Sequence, residues 1–372
     1  MKIHNFSAGP SILAKSVIKE ASKAVIELND IGLSLLEISH RSNHFIKIIE
    51  EAKALTKELL NISDDYEVLF LQGGASLQFY MSALNFSNSH GKSGYIDTGT
   101  WSSKAIEESK KLRGDTITIA SSKDKNYNYI PKEIVKQQNL DYIHFTSNNT
   151  IYGTQYHSFQ NILNHYPETA LICDMSSDIF SREINVNNFA LIYAGAQKNL
   201  GPAGTTLVII KKSIFNQEKT HFSKNHLKHI NNLPSYLKYT THIDKSSMFN
   251  TPPVFSIYTC MLTLRWLKKI GGIATIAEKN QKKSNLIYRE IDRNSLFKGY
   301  TKKEDRSMMN ATFTLKNSDL KDKFEKLCIE KGISGINGHR SVGGYRASMY
   351  NALDIESVNA LTETMQQLEK IG

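Results

Sequence analysis

Lys198 and Asp174 are the two residues of this chain whose types and settings suggest covalent chemistry. Lys198 lies in Phe189-Ala-Leu-Ile-Tyr-Ala-Gly-Ala-Gln-Lys-Asn-Leu-Gly-Pro-Ala-Gly204, where an apolar run gives way to a turn rich in glycine and proline. Asp174 closes an earlier apolar run, Ala170-Leu-Ile-Cys-Asp174. An amine just past one strand and a carboxylate at the tip of another are the pair that pyridoxal phosphate needs. The amine forms a Schiff base, and the carboxylate keeps the pyridine nitrogen protonated so that the ring draws in electrons. Each residue also has a plain alternative, a solvated loop lysine and a capping or turn-forming aspartate. The other motifs favour the cofactor.

Gly73-Gly-Ala-Ser-Leu-Gln78 follows an apolar run and opens a helical pattern. Glycines there let backbone amides approach a phosphate, and a helix N-terminus adds partial positive charge. A plain tight turn is the alternative. His90-Gly-Lys-Ser93 is not a P-loop, because Phe86 stands where the first glycine is needed. Thr98-Gly-Thr-Trp101 places one of only two tryptophans at a strand end, where it suits an aromatic platform or a core position. Asn149-Thr150 adds polar groups at the same rim. Two basic pairs, His40-Arg41 and His339-Arg340, stand in polar or glycine-rich contexts, and Arg346 lies close to the second. Guanidinium groups grip carboxylates and phosphates through paired hydrogen bonds. Any one of them reads as a surface ion pair; all together suggest a small substrate with two or three negative charges.

Positioning these groups requires a sheet whose strand ends converge. Strands are expected at 67–71, 94–97, 116–120, 142–146, 170–174, 191–194 and 205–210, with helices at 77–84, 102–111 and 131–137 between them. That alternation predicts an α/β fold with a mostly parallel sheet covered by helices on both faces. In such sheets ligands bind outside the carboxyl ends of the strands, where Asp174, Lys198 and Gly73-Gly74 all fall. The spacing further predicts an extended arm at 3–11, helices at 15–28, 43–60, about 254–270 and 273–291, and a smaller α/β lobe from about 308. The least regular stretch, 211–247, reads as an exposed excursion.

The 372 residues exceed one typical core, so two lobes are expected. A hydrophobic share of 40% and a charged share of 22% fit a globular enzyme, and no apolar run approaches the roughly 20 residues of a membrane helix. The start, Met1-Lys-Ile-His-Asn-Phe-Ser, lacks the apolar core of a secretory signal, and three scattered cysteines make neither a disulfide framework nor a zinc site. A cytoplasmic protein is expected. The net charge of +10 is spread along the chain without aromatic interleaving, which argues against a specific nucleic-acid interface. His221, His226, His229 and His242 sit among lysines that repel cations, with no cysteine nearby, and no metal is expected.

Six blocks together resemble the phosphoserine aminotransferase family, within the class-V, fold type I enzymes that use pyridoxal phosphate. They are Asn5-Phe-Ser-Ala-Gly-Pro10, Ser39-His-Arg41, Gln72-Gly-Gly-Ala-Ser76, Tyr193-Ala-Gly-Ala-Gln-Lys-Asn-Leu-Gly-Pro-Ala-Gly204, Met248-Phe-Asn-Thr-Pro-Pro253 and Gly338-His-Arg-Ser-Val-Gly-Gly-Tyr-Arg-Ala-Ser348. The resemblance implies a large cofactor-binding domain at 14–262, a small domain of 1–13 and 263–372, and a homodimer with shared active sites. It implies Lys198 and Asp174 as catalytic residues and Trp101 stacked on the cofactor ring. Thr150 lies by the ring's phenolic oxygen; Ala75, Ser76 and Gln197 meet the cofactor phosphate, joined by Asn250 and Thr251 of the other subunit. Arg346 takes the substrate α-carboxylate, and Arg41, His40, His339 and Arg340 take the distal anion. The implied reaction joins L-glutamate and 3-phosphohydroxypyruvate, with a phosphorylated hydroxythreonine of vitamin B6 synthesis as a further product. Two departures stand out: some members carry serine at the place of Ala8 and arginine at that of Ser76. The alternatives are a desulfurase-like lyase on the same scaffold and, from another class, a basic nucleic-acid-binding protein.

Overall fold

The computed structural model describes residues 2–88, 90–112, 114–215 and 230–371. The chain opens with strand β1 (His4–Asn5) and helices α1 (Lys15–Ile26) and α2 (Asn43–Leu60). Strands and helices then alternate: β2 (Tyr66–Leu71), α3 (Gly74–Phe86), β3 (Lys92–Asp97), α4 (Thr100–Ser109), β4 (Asp115–Ser121), β5 (Leu140–Thr146), the short pair β6 (Asn148–Asn149) and β7 (Thr154–Gln155), α5 (Gln160–His165), β8 (Ala170–Asp174), β9 (Leu191–Gly195) and β10 (Thr206–Lys211). Helices α6 (Tyr239–Asp244), α7 (Val254–Lys269) and α8 (Gly272–Arg293) follow. The chain ends with β11 (Phe297–Gly299), β12 (Asn310–Leu315), α9 (Lys321–Glu330), β13 (Ile333–Ser334), β14 (Tyr345–Ser348) and α10 (Ile355–Ile371).

The main sheet has seven strands in the order β2-β10-β9-β8-β5-β3-β4. Only β10 runs against its neighbours, so β2, β9, β8, β5, β3 and β4 share one direction and their carboxyl ends share one edge. Successive strand residues face opposite sides of a sheet, and the apolar residues divide accordingly. Val68, Phe70, Ile143, Phe145, Leu171, Cys173 and Ile192 pack in one core with α1, α2 and α7. Leu69, Leu71, Tyr142, Ile172, Leu191 and Tyr193 pack in a second with α3 and α4. Strands buried on both faces read as continuous apolar runs, which is why β8 and β9 were visible in the sequence.

Helix α2 shows the local logic. Ser42 accepts the Phe45 N–H as N-cap, Phe45, Ile48, Ile49, Ala52 and Leu55 make the buried stripe, and Asn61 ends it in the left-handed region at φ 51°. The third core lies toward the C-terminus, where β11, β12 and β14 form an antiparallel sheet packed by α9 and α10. Phe6 is buried there, and β1 pairs in parallel with β13, so the N-terminal arm joins this part of the molecule. Helix α8 spans two cores: Ile273 and Ile276 pack under the main sheet, Ile287 and Ile291 in the C-terminal core.

One expected element is absent. Residues 131–137 are not a helix; they have no regular secondary structure, and the Val135 N–H bonds the Ile119 carbonyl of edge strand β4. The β3–β4 register shifts between Tyr95 and Ile96, so Ile119 has no β3 partner and the passing segment covers it. His221, His226 and His229 lie outside the described residues. His242 is buried in α6 with Nε2 against the Tyr236 carbonyl (2.7 Å), and among the described residues no group of three His, Cys, Asp or Glu is placed to hold a metal ion. None of the described helices is long and apolar enough to cross a membrane.

Candidate active site

The carboxyl ends of β9, β8, β5 and β3 open into a cavity of about 330 Å³. Its lining includes Ala8 and Gly9 of the N-terminal arm, Gly74, Ala75, Ser76 and Phe79 of α3, Trp101, Thr146, Asn148 and Thr150, Asp174, Ser176 and Ser177, Gln197 and Lys198, and His339 and Arg346. Nine of the expected site residues thus meet in one place.

Lys198 leaves the end of β9 and is 8% exposed. Its Nζ donates to Thr150 Oγ1 at 2.7 Å and stands 5.8 Å from the centre of the Trp101 ring. Burial pushes the amine down to about 8; the Asp174 charge opposes this and Arg346 adds to it. Near neutral pH the amine therefore exchanges its proton readily, as a nucleophile or a base requires.

Asp174 ends β8 and is 3% exposed. Its Oδ1 accepts the Ser176 N–H (2.9 Å) and hydroxyl (2.6 Å), and Ser176 Oγ in turn accepts the Gly195 N–H (3.0 Å). This turn fixes one carboxylate oxygen and leaves Oδ2 without a hydrogen-bond partner among the described residues, on the cavity wall. Burial raises the carboxyl above its usual range, while Ser176 and Lys198 favour the charged form. A cationic ring nitrogen is the partner this oxygen suits.

Trp101 is set by the cap of α4. Asp97 at the tip of β3 accepts the hydroxyls of Ser102 (3.0 Å), Ser103 (2.8 Å) and Tyr127 (3.1 Å). Ser102 Oγ accepts the N–H groups of Thr98 and Gly99. Helix α3 begins at the glycine pair: Gly73 has φ 90°, and a β-carbon on it would lie 2.4 Å from Leu77 Cδ2, so glycine is required there. The first-turn N–H groups of a helix have no intrahelical acceptor, and here that turn, Gly74–Ser76, lines the cavity. Such an N-terminus suits an anion.

Three buried polar atoms of the lining, Trp101 Nε1, Thr146 Oγ1 and Arg346 Nε, have no partner within the described residues. Arg346 comes from β14, and its Nη1 reaches the Thr150 carbonyl at 3.4 Å. His339 is held below its ordinary pKa first by burial, then by the charges of Arg346, Arg340 and Lys104, which favour its neutral form. An anion seat, an aromatic wall, a free carboxylate oxygen and a buried amine with unclaimed donors fit an aromatic aldehyde phosphate such as pyridoxal phosphate.

His40, Arg41, Arg340, Asn250 and Thr251 do not line this cavity. Arg41, Arg340, Asn250 and Thr251 are exposed, His40 is half-buried, and the Thr251 carbonyl accepts from Gln72 Nε2 (2.8 Å). Conversely, Phe79, Thr146, Asn148, Ser176 and Ser177 belong to the lining without having been expected. For Ser176 a signal existed: Asp-x-Ser after a strand is a side-chain-to-backbone turn. Cys173, Cys260 and Cys328 are buried, outside the lining, and their thiols are pushed up by burial, which leaves no candidate for a lyase's reactive thiol.

Residues 3–361 match the family model for aminotransferase class V. The chain belongs to this family. Its relatives among class-V aminotransferases include the phosphoserine aminotransferase of Flavobacterium psychrophilum, 53% identical over 370 residues and 99% of each chain. Among solved structures, the phosphoserine aminotransferase of Bacillus circulans subsp. alkalophilus is 40% identical, with a TM-score of 0.92 over 100% of this chain and 99% of that one. The phosphoserine aminotransferase of Trichomonas vaginalis, solved with its cofactor PLP bound, is 32% identical, with a TM-score of 0.88 over 98% and 100%. The fold of this class-V aminotransferase is therefore that of the phosphoserine aminotransferases, the family its motifs resemble.

Proposed function

We propose that this chain transfers the amino group of L-glutamate to 3-phosphohydroxypyruvate, giving O-phospho-L-serine and 2-oxoglutarate, with pyridoxal phosphate as cofactor. The carrying observation is the buried Lys198 amine, bonded to Thr150 in a cavity that also presents Asp174 and Trp101. Bound there, pyridoxal phosphate supplies an aldehyde carbon and an electron-withdrawing ring. Asp174 Oδ2 would hold a proton on the ring nitrogen. Trp101 would cover one face and keep water off it. Gly74–Ser76 and Gln197 would hold the phosphate. Lys198, with its amine lowered to about 8, would carry the proton from the substrate Cα to the former aldehyde carbon of the cofactor in the first half-reaction, and from that carbon to the Cα of the new amino acid in the second. Arg346 orients the substrate by its α-carboxylate, and His339 with Arg340 receives the distal phosphate or carboxylate.

The working unit of this reading is a homodimer in the cytoplasm. His40, Arg41, Asn250 and Thr251 lie off the single-chain cavity, and exposed apolar side chains flank them in the chain: Leu36, 62% exposed, four residues before His40, and Phe249, 40% exposed, next to Asn250. A second copy covering these residues supplies the missing cofactor and anion contacts. The lobes of this reading are 14–262 and, for the smaller, 1–13 with 263–372, supported by the β1–β13 pairing and by Phe6 in the C-terminal core.

A coupled assay tests it. The purified protein, loaded with pyridoxal phosphate, should form 2-oxoglutarate from glutamate with 3-phosphohydroxypyruvate far faster than with unphosphorylated hydroxypyruvate. The phosphorylated oxo acid of vitamin B6 synthesis belongs in the same assay. No transamination with either phosphorylated acceptor, or no preference for the phosphate, defeats the proposal.

A further inference from the structure

The backbone of Lys198 is held from outside its own turn. In the turn after β9 the Leu200 and Gly201 N–H groups both return to the Ala196 carbonyl, at 3.2 and 2.7 Å. The next two carbonyls, those of Gln197 and Lys198, take their donors from one residue of the N-terminal arm. The Ser11 N–H donates to the Gln197 carbonyl at 3.0 Å, and the Ser11 hydroxyl donates to the Lys198 carbonyl at 2.5 Å. Among the described residues neither carbonyl has another donor.

These carbonyls belong to the two peptide planes that flank the Lys198 Cα. Each plane is rigid, so holding both fixes φ and ψ at Lys198 and with them the direction of its Cα–Cβ bond. A lysine side chain is long and rich in rotamers, and its amine stays in one place only if root, stem and tip are all restrained. The tip donates to Thr150 Oγ1 at 2.7 Å. The stem runs past Gly9, where a β-carbon would lie 3.4 Å from Lys198 Cγ and 3.7 Å from Cε. The root is held by Ser11. The other end of the arm is fixed in the C-terminal core: Phe6 is fully buried, its N–H donates to the Ser334 carbonyl (2.8 Å), and its carbonyl accepts the Ser348 N–H (3.3 Å), two residues past Arg346 on β14. The stretch 6–11 therefore links the strand that carries Arg346 to the turn that carries Lys198.

We propose that Ser11 is a positioning residue of the reaction: by holding the peptide planes on both sides of Lys198 it aims the amine, and through the arm it keeps that amine in register with Arg346. The proposal rests on the reading of Lys198 as the reactive amine. Ser11 is not part of the cavity lining, so it acts through Lys198 and not on the reacting atoms.

Ser11→Ala removes the hydroxyl and keeps the N–H; Ser11→Thr keeps both. Tyr66→Phe is the control, because it too removes one hydroxyl bonded to a carbonyl, that of Phe189 (2.8 Å), and Tyr66 is not part of the lining. Three quantities are measured in the wild type and the three variants. They are kcat and KM for glutamate per bound cofactor, the thermal midpoint, and the apparent pKa of Lys198 in the cofactor-free full chain, from the pH dependence of its acylation. Ser11→Ala should lower kcat about two- to tenfold, the worth of one hydrogen bond, and change KM less. It should also raise the Lys198 pKa, because burial is what pushes that amine down and a loosened root lets it reach water. Ser11→Thr should restore both quantities, and Tyr66→Phe should move the thermal midpoint alone. If Ser11→Ala leaves kcat and the Lys198 pKa unchanged, or if Ser11→Thr departs from the wild type as far as Ser11→Ala does, the hydroxyl does not aim the amine and the proposal fails. If the wild type itself neither takes up cofactor nor turns over, the reading of Lys198 fails first, and the two failures are distinct.

Discussion

Replacing Asp174 by asparagine separates what its carboxylate does in the chemistry from what it does in the fold. An asparagine carbonyl oxygen can still accept the Ser176 N–H and hydroxyl that now bind Oδ1, so the turn after β8 survives. What is lost is the negative charge on Oδ2 and with it a charge-assisted hydrogen bond to a protonated ring nitrogen. Such a bond is worth about 1.5–3 kcal/mol, and removing one preorganised electrostatic contact in a closed site costs about 2.7–4 kcal/mol of barrier. Turnover should therefore fall roughly 10²- to 10³-fold. Stability should move the other way or not at all. Burial raises the folded-state carboxyl pKa, so the ionised form is penalised by folding and stability from this group falls as pH rises past the unfolded value. A neutral amide removes that penalty at pH 7. Single-turnover rates with glutamate, beside urea midpoints at pH 7, test both halves. Near-normal turnover together with a lower urea midpoint would falsify the assignment and make Asp174 a structural cap.

Mixed dimers test the shared site: Arg41→Ala and Lys198→Ala, each inactive or nearly so alone, should regain about a quarter of wild-type activity when co-refolded at equal amounts, because one site per mixed dimer is intact. Activity that stays at the level of the separate variants argues against Arg41 crossing to a second copy. Lys283 of α8 makes a pH prediction. Its ammonium is buried and donates to the carbonyls of Met349 (2.9 Å), Tyr350 (2.8 Å) and Leu353 (3.1 Å), and burial pushes it down to about 7. Between that value and the unfolded lysine's own, the unfolded chain binds more protons, so stability should rise with pH across this window. Lys283→Met should flatten the rise in urea midpoints measured from pH 6.5 to 10; an unchanged slope assigns it to other groups.

The sheet was largely legible because each strand's apolar run is set by burial on both faces, a local signal. Glycine and proline marked the turns that carry Gly73-Gly74 and Gln197-Lys198. The segment 131–137 was misread because its lysines, Glu133 and Gln137 suit a helix, while in the fold its Val135 N–H bonds the Ile119 carbonyl on the sheet edge. That contact belongs to the sheet edge, where the β3–β4 register shift skips Ile119, and no window of sequence contains it. The site divides in the same way. Lys198, Asp174, Trp101 and Thr150 sit at strand ends and were found from the strands; Arg346 and His339 came from their motif. Ser177 and Asn148 join the site only through bonds across the fold, such as Asn148 Nδ2 to Ser177 Oγ (2.7 Å) and to Asn310 Oδ1 (2.8 Å), and carry no local mark.

The most direct measurement is borohydride reduction of the yellow, cofactor-loaded protein, followed by mass spectrometry of its peptides. The account predicts bleaching, with the reduced cofactor attached to the Lys198 ε-nitrogen and to no other lysine of the chain. Attachment elsewhere, or a cofactor that washes away uncoupled after reduction, contradicts it.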